Sequence, residues 1–390
     1  MSAPRISSRD RRTRLRLVAV TGTAGKTTTA WLTASVLAEA GFRVGVASDL
    51  GCIDADGTLA EPLGPRRPEA LDAWVARLAV GGCTHAVVEV SADWLEAGAL
   101  PRGSCAALVV TGLARERRGT GPSHGVLTRR SLDALAPDGC LVAGHGRGND
   151  RLLAAAARRG GLSCLTAGLD RASDVTARPV ERGLHGQTVL AAAAGQVVPL
   201  AIDVPVASFV RNALCAAAVG LCHGVPLDLA ARGIEAAGSV AGRVERLDRG
   251  QDFAAFLDAP RTRHALASTL RSLRRLTSGR LAVVAEQRLV DAMGAEAFAG
   301  PVRRRCDHVV VVPSDVLDDE ADAAAVAAYA RVDRLLGRLG SGDCLVVLGG
   351  TGLPGGPRRD GGVPLATLVD GWLRLAHPPR PAVAGRRRAA

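Results

Sequence analysis

Lys26 is the single lysine among the 49 basic residues of this 390-residue chain. It stands in Thr21-Gly22-Thr23-Ala24-Gly25-Lys26-Thr27-Thr28, with the apolar run LRLVAV leading in and the helical pattern TTTAWLTASVLAEAG leading out. A strand, a Gly-rich turn and a helix start in that order suit phosphate binding: glycines let backbone N–H groups close around oxygens, and the helix N-terminus adds positive potential. In such a loop the lysine reaches the β/γ-phosphates and the next hydroxyl meets Mg²⁺. Elsewhere the chain uses arginine, as a GC-rich coding bias would produce. One surviving lysine then reads as a chemical requirement, because a planar guanidinium does not replace a compact ammonium on a flexible stem. Val20 stands where a full G-x-x-x-x-G-K loop has its first glycine, so the bland alternative, an ordinary strand–helix turn, is weighed against the strand and helix that flank it.

The elements that must position this loop follow from the apolar pattern. LRLVAV, FRVGVAS, THAVVEVS, AALVVTGL, CLVAG and LSCLTAG alternate with helical segments such as PEALDAWVARLAV and NDRLLAAAARRGG. Continuous apolar strands alternating with helices predict an α/β fold with a doubly wound parallel sheet. From about Asp174 to Pro205 the pattern changes to short strands with turns, an expected antiparallel patch. Two helices follow, SFVRNALCAAAVGLCHG and PLDLAARGIEAAG. The Gly- and charge-rich stretch SVAGRVERLDRGQDF then reads as a break near Ala236–Gly242. A second series, FAAFLDA, HALASTLRSLRRL, RLAVVAE, DHVVVVPS, DEADAAAVAAYARVDRLLGRL and CLVVLGG, predicts a smaller Rossmann-like domain. The expected division is a basic disordered tail at 1–14, an ATP-binding domain at 15–238, the second domain at 239–375 and a basic disordered tail at 376–390.

Composition narrows the function classes. Hydrophobic residues make up 47% and aromatics 3%, so the cores must be packed with Ala, Val and Leu. No apolar run reaches the length of a membrane span, and MSAPRISSRDRRTRLR has no apolar core of a secretory signal. Nine scattered cysteines without a C-x-x-C pair read as small buried hydrophobes of a cytoplasmic protein. Residues 1–16 carry six arginines and one aspartate, and residues 374–390 carry five arginines and no acid. The tails thus supply nearly all of the net +11, the body is close to neutral, and no dedicated nucleic-acid site is expected. The eight histidines show no H-E-x-x-H or paired Cys/His spacing, and there is no G-x-S-x-G elbow.

At this point an ordered series of motifs resembles the Mur ligase family, of the UDP-N-acetylmuramoyl-tripeptide synthetase type. The phosphate loop Thr21–Thr28 is followed by Pro68–Ala70, Glu89–Ser91, Thr111–Arg115, Asn212–Ala217, Gly242–Arg246 and Asp258, in family order. The resemblance implies ATP-dependent amide-bond formation, in which a carboxylate becomes an acyl phosphate, an amine attacks and phosphate leaves. It implies Lys26, Glu89, Arg243 and Asp258 as catalytic residues. It implies Gly22, Thr23, Ala24, Gly25, Lys26, Thr27, Thr28, Asn212 and Arg243 as the ATP contacts, and Thr27 with Glu89 as the Mg²⁺ ligands. Glu89 ends an apolar strand, where open α/β sheets bind ligands, and a lone carboxylate is costly to bury there without a role. Other readings stay open for three residues: a helix cap for Asn212, a solvated linker side chain for Arg243 and a local turn for Asp258. ATP is expected in a cleft between the two domains, hinged at 236–242.

The departures from the family are extensive. A carbamylated, Mg²⁺-bridging lysine follows a Gly-Thr pair in the family; after Gly119-Thr120 this chain has only Thr128-Arg129-Arg130, and arginine cannot form the carbamate. The metal-binding histidine of N-L-x-x-D-H-x-D is Arg117, E-V-S-S-H has become Glu89-Val90-Ser91-Ala92-Asp93, and D-Y-A-H-T-P reads Asp258-Ala259-Pro260-Arg261-Thr262-Arg263. The D-N-P-R motif is replaced by PSDVLDDE and the G-K-G-H-E turn by Gly349-Gly350-Thr351-Gly352. No N-terminal UDP-binding domain is expected ahead of a loop that begins at residue 21.

Nucleotide positions persist while second-metal, UDP-sugar and amino-acid positions are lost. A guanidinium from Arg117, Arg129 or Arg130 is therefore expected where the family holds its second metal, with at most one Mg²⁺ bound. Three readings compete. One is a divergent cytoplasmic ligase of cell-envelope biosynthesis, acting on an unidentified carboxylate and amine. The second is a non-catalytic ATP-binding relative acting through a protein partner in the envelope pathway; separately, a partner chain is a candidate for supplying the missing substrate domain. The third, an unrelated P-loop ATPase or kinase, is weakened by the second Rossmann-like domain.

Overall fold

The computed structural model describes residues 15–63, 68–113, 124–144, 149–159, 162–313, 323–349 and 365–376. The described residues fall into two compact units, divided between Ala241 and Gly242.

The first unit opens with β1 (Arg16–Thr21), α1 (Lys26–Glu39), β2 (Val44–Ser48), β3 (Gly51–Ile53) and β4 (Leu59–Ala60). It continues with α2 (Pro68–Val80), β5 (His85–Glu89), α3 (Ala92–Glu96), β6 (Cys105–Val110), α4 (His124–Ala134), β7 (Leu135–Gly144), α5 (Asp150–Arg159) and β8 (Ser163–Gly168). The strands β9 (Val175–Gly183), β10 (Gly186–Ala193) and β11 (Gln196–Ile202) precede α6 (Ala207–Cys222) and α7 (Leu227–Ala237). One sheet holds all eleven strands in the order β11-β10-β9-β8-β7-β6-β1-β5-β2-β3-β4. Strands β2, β5, β1, β6, β7 and β8 run parallel, whereas β9–β10–β11 form the antiparallel patch that the turn-rich sequence predicts.

Strand β1 is covered on both faces. Leu17 and Ala19 join a core with Trp74, Leu78, Leu95 and Leu141, and the alternate residues Val18 and Val20 are equally buried. That is why its sequence is a continuous apolar run. Small residues set the spacing of the helices. A Cβ on Gly233 of α7 would meet the backbone of Ser35 and Val36 in α1, which brings these two helices into close contact.

The second unit contains β12 (Arg243–Leu247), β13 (Ala254–Asp258), α8 (Arg263–Leu276), β14 (Leu281–Glu286), α9 (Gln287–Met293), α10 (Ala295–Arg303), β15 (His308–Val312), α11 (Ala323–Leu336), β16 (Cys344–Leu348) and α12 (Leu365–Ala376). Its sheet order is β12-β13-β16-β14-β15, parallel except for β12. The sequence reading treats 239–253 as a charged break. The structure instead pairs Arg243–Leu247 with β13, because Val244 and Leu247 have apolar positions to fill there.

The cysteine reading also needs correction. Cys140 of β7 and Cys222 at the end of α6 are joined as a disulfide, and Cys164 is exposed. Beside that link, His85 Nε2 and His223 Nδ1 lie 3.1 Å apart, with the Phe42 ring stacked at a tilt on His85. Burial, above all, and then the neighbouring Arg16 charge hold both imidazole pKa values down at about 4, with His223 itself adding to the shift on His85. The folded state therefore keeps both rings neutral at pH values where an unfolded histidine, with a pKa of about 6.5, takes up a proton. Stability is fully present above about pH 6.5 and is lost as the pH falls towards 4. Urea unfolding between pH 7 and 4.5 is expected to show this slope, and His223→Gln is expected to flatten it.

Candidate nucleotide-binding site

The loop between β1 and α1 is built by glycine geometry. Gly22 has φ 136° and Gly25 φ 88°, values that suit glycine. Side chains elsewhere fill the space that a Cβ would need: Thr111 Oγ1 lies against Gly22, and the Asn212 amide lies against Gly25. Gly25 is the N-cap of α1, so no side chain caps the helix, and its first turn carries no acid. An uncapped helix start of this kind suits an anion.

Strand order decides what surrounds the loop. β1 lies between β5 and β6, so the carboxyl ends of both neighbours flank it. From β6, Thr111 Oγ1 donates to Ala24 O at 2.7 Å and to Thr21 O at 3.2 Å, and Thr23 N donates to Gly112 O at 2.9 Å. From β5, Glu89 meets the loop's two chemical residues. Thr27 Oγ1 donates to Glu89 Oε2 at 2.8 Å, and Lys26 Nζ is 3.7 Å from Glu89 Oε1. Asp49 N, at the end of β2, also donates to Oε2, at 3.3 Å.

The Glu89 side chain is only 5% exposed. Burial raises its pKa, and the nearby Asp49 charge adds to this; the Lys26 ammonium and the Thr27 hydroxyl oppose them. Thr27 and Glu89 offer adjacent hard oxygens, which suits Mg²⁺, an ion that takes few protein ligands and completes its shell with water and phosphate. Among the described residues no cluster of three or more His, Cys, Asp and Glu side chains could hold a metal ion.

A family profile described as the Mur ligase middle domain matches residues 20–116, the span of this loop and its supports. The UDP-N-acetylmuramoyl-L-alanyl-D-glutamate–2,6-diaminopimelate ligase of Rhizobium meliloti (strain 1021) is 31% identical over 358 residues, covering 85% of this chain and 72% of that protein. The chain belongs to the Mur ligase family. The like-named ligase of Agrobacterium fabrum is 30% identical with the same coverage of each chain. Among solved structures, a diaminopimelate ligase of this type superposes with a TM-score of 0.65 at 19% identity, covering 87% of this chain and 75% of its own. Mycobacterium tuberculosis folylpolyglutamate synthase, solved with ADP and AMPPCP, also gives 0.65, at 17% identity and 87% and 89% coverage. These two likenesses concern the fold.

Within this Mur ligase family member, Gly22–Thr28, Glu89 and Asn212 gather at one edge of the first sheet. Asn212 is not a helix cap: α6 starts at Ala207 with Val206 as N-cap, and Asn212 lies more than a turn inside. Arg243 and Asp258 come together in the second unit, as register partners on β12 and β13. Asp258 is no solvated turn residue. It is buried, accepts from Thr269 Oγ1 at 2.9 Å and from Ala259 N at 3.1 Å, and its pKa is raised by burial against the pull of Thr269 and Arg243. Its carboxylate also accepts from the N–H of Val244, a β-branched residue held at φ 55° in a bulge beside Arg243. Backbone strain of this kind costs on the order of 1–3 kcal/mol and tends to occur at sites under constraint.

The arginines nominated for the second-metal region fare differently. Arg117 lies outside the described residues. Arg129 and Arg130 are exposed on α4, and Arg129 pairs with Asp133 at 3.9 Å. Asp133 O accepts from Gly103 N, just before β6 begins, so this pair sits towards the amino ends of the strands, away from the loop. The helix direction, which no motif spacing reports, sends that guanidinium to the wrong edge. Sequence reasoning missed Asp49 and the clamp role of Thr111; Asp49 carried the same signal as Glu89, an acid directly after an apolar strand.

Thr111→Val keeps the shape and removes the hydroxyl bonds to Thr21 and Ala24. It is expected to cost roughly 1–2 kcal/mol in urea unfolding of the first unit. Gly22→Ala, which adds strain and a clash with Thr111, is expected to cost more.

Proposed function

We propose that this protein is a divergent Mur-type ATP-dependent carboxylate–amine ligase, which forms an amide through an acyl phosphate in the cytoplasmic synthesis of a cell-envelope precursor. The observation that carries this reading is the contact of Lys26 and Thr27 with the buried Glu89 beneath a loop held open by Thr111. Lys26 would pair with the terminal phosphates, with the backbone of Gly22, Thr23, Ala24 and Gly25 and the hydroxyl of Thr28 around them. Thr27 and Glu89 would hold Mg²⁺, which when bound offsets the charge that spreads over the transferring phosphoryl group. Asn212 would meet the base. In this reading Arg243 and Asp258 are the catalytic residues of the second unit, with Asp258 holding Arg243 in register. Its substrates would be a carboxylic acid and an amine.

A second reading, a non-catalytic nucleotide-binding relative, is favoured by one observation: Arg129 turns to Asp133, and no lysine stands at that site. The two readings part on turnover. ATP consumption by the purified protein against a pool of envelope precursors and amino acids is expected to exceed the rate without acceptor. Nucleotide binding without turnover on any acceptor would instead select the non-catalytic reading.

Lys26→Ala removes a charge-assisted contact worth roughly 1.5–3 kcal/mol. Calorimetry with Mg²⁺ is therefore expected to show ATP bound about 10–100-fold more weakly. A wild-type chain that binds no ATP would overturn both readings. Glu89→Gln is expected to retain most of the affinity and to lose turnover.

A further inference from the structure

Arg211 directly precedes the asparagine that packs against Gly25 of the loop, and among the described residues it is a cation without a counter-charge. Among the described residues no carboxylate pairs with it and no hydrogen bond engages its guanidinium. Other partly buried arginines behave differently: Arg249 pairs with Asp370 and Arg274 with Asp307. Burial lowers the Arg211 pKa from its usual value, and the only other influence on it is the nearby thiol of Cys215, one helical turn along α6. A desolvated, uncompensated charge is a standing cost to the fold.

The direction of α6 says where that charge lies. Its last residue, Cys222, is joined to Cys140, which pairs with Ser163, the first residue of β8. The next residue, His223, contacts His85, the first residue of β5. The end of α6 is therefore at the amino edge of the sheet. Ten residues earlier, about 15 Å along the axis, Asn212 meets Gly25 at the carboxyl edge. Helical side chains lean towards the N-terminus of their helix, so Arg211, one residue before Asn212, lies at the same carboxyl edge as the loop.

We propose that Arg211 is a further nucleotide-contacting residue, whose guanidinium pairs with a phosphate oxygen of the nucleotide held by the loop at Gly22–Thr28. The proposal rests on the nucleotide reading of that loop. It gives a counter-charge to a partly buried guanidinium that no described carboxylate pairs. The planar fork of the guanidinium suits a phosphate better than an ammonium does.

The test uses the full chain, wild type and the variants Arg211→Met, Arg211→Lys and Lys26→Ala, titrated calorimetrically with MgATP, MgADP and adenosine, with Tm measured with and without MgATP. Arg211→Met keeps the aliphatic length and is expected to raise the Kd for MgATP at least tenfold, to leave adenosine binding within twofold, and to leave the ligand-free Tm unchanged or higher. Arg211→Lys is expected to fall between wild type and Arg211→Met. An unchanged Kd for MgATP in Arg211→Met, with Lys26→Ala impaired, overturns this proposal alone. Equal losses for adenosine and MgATP place the contact on the base and overturn the phosphate assignment. A lower ligand-free Tm with the ATP-induced shift intact makes the residue structural and overturns it. A wild-type chain that binds no nucleotide overturns the loop reading, and this proposal with it.

Discussion

The Glu89 carboxylate has to be surrounded by donors, because its side chain is almost wholly withdrawn from water. The donors come from three elements: Lys26 and Thr27 from the first turn of α1, and the N–H of Asp49 from the end of β2. Satisfying one buried charge thus fixes the start of α1 against β5. It also aims the ammonium and the threonine hydroxyl at the same point. The loop cannot relax away from this arrangement, because Thr111 and Gly112 hold its backbone from the β6 side.

Strand order makes both sets of contacts available. With β1 between β5 and β6, residues 62 and 87 positions away in sequence reach the same turn. The α6 helix adds a third wall by running antiparallel to the strands. Its start brings Asn212 against Gly25 of the loop, while its end is fastened by Cys222 and His223 at the opposite edge. The two ends of one helix thus meet different surroundings: the Asn212 amide packs on the loop glycine, and the imidazole pair lies at the opposite edge.

The second unit uses a buried carboxylate in another way. Asp258 binds Thr269, Ala259 and the strained Val244, so it organises the carboxyl edge of its own sheet and holds Arg243 in register. Whatever charge Arg243 offers a ligand, its placement depends on that buried acid.

The fold class was legible in the sequence because burial on both faces leaves an apolar strand such as LRLVAV with no alternation to hide it. The turn between β1 and α1 was legible because its geometry is local: glycine conformations, one lysine and a helix start lie within eight residues. Glu89 was legible because an acid closing an apolar strand has few places to go. The roles of Thr111, Asp49 and Arg211 were not, since each depends on which strand or helix lies next to it. The same reason undoes the expectation for Arg129, whose spacing after Gly119-Thr120 says nothing about the direction of α4. A cap stayed open as the alternative for Asn212 until the helix boundary placed it inside α6. Cys140 and Cys222, 82 residues apart, carried no pairing signal. Chain-local chemistry is written in the order of residues. Contacts across strands and helices depend on sheet order and helix direction, which only the packed tertiary structure decides.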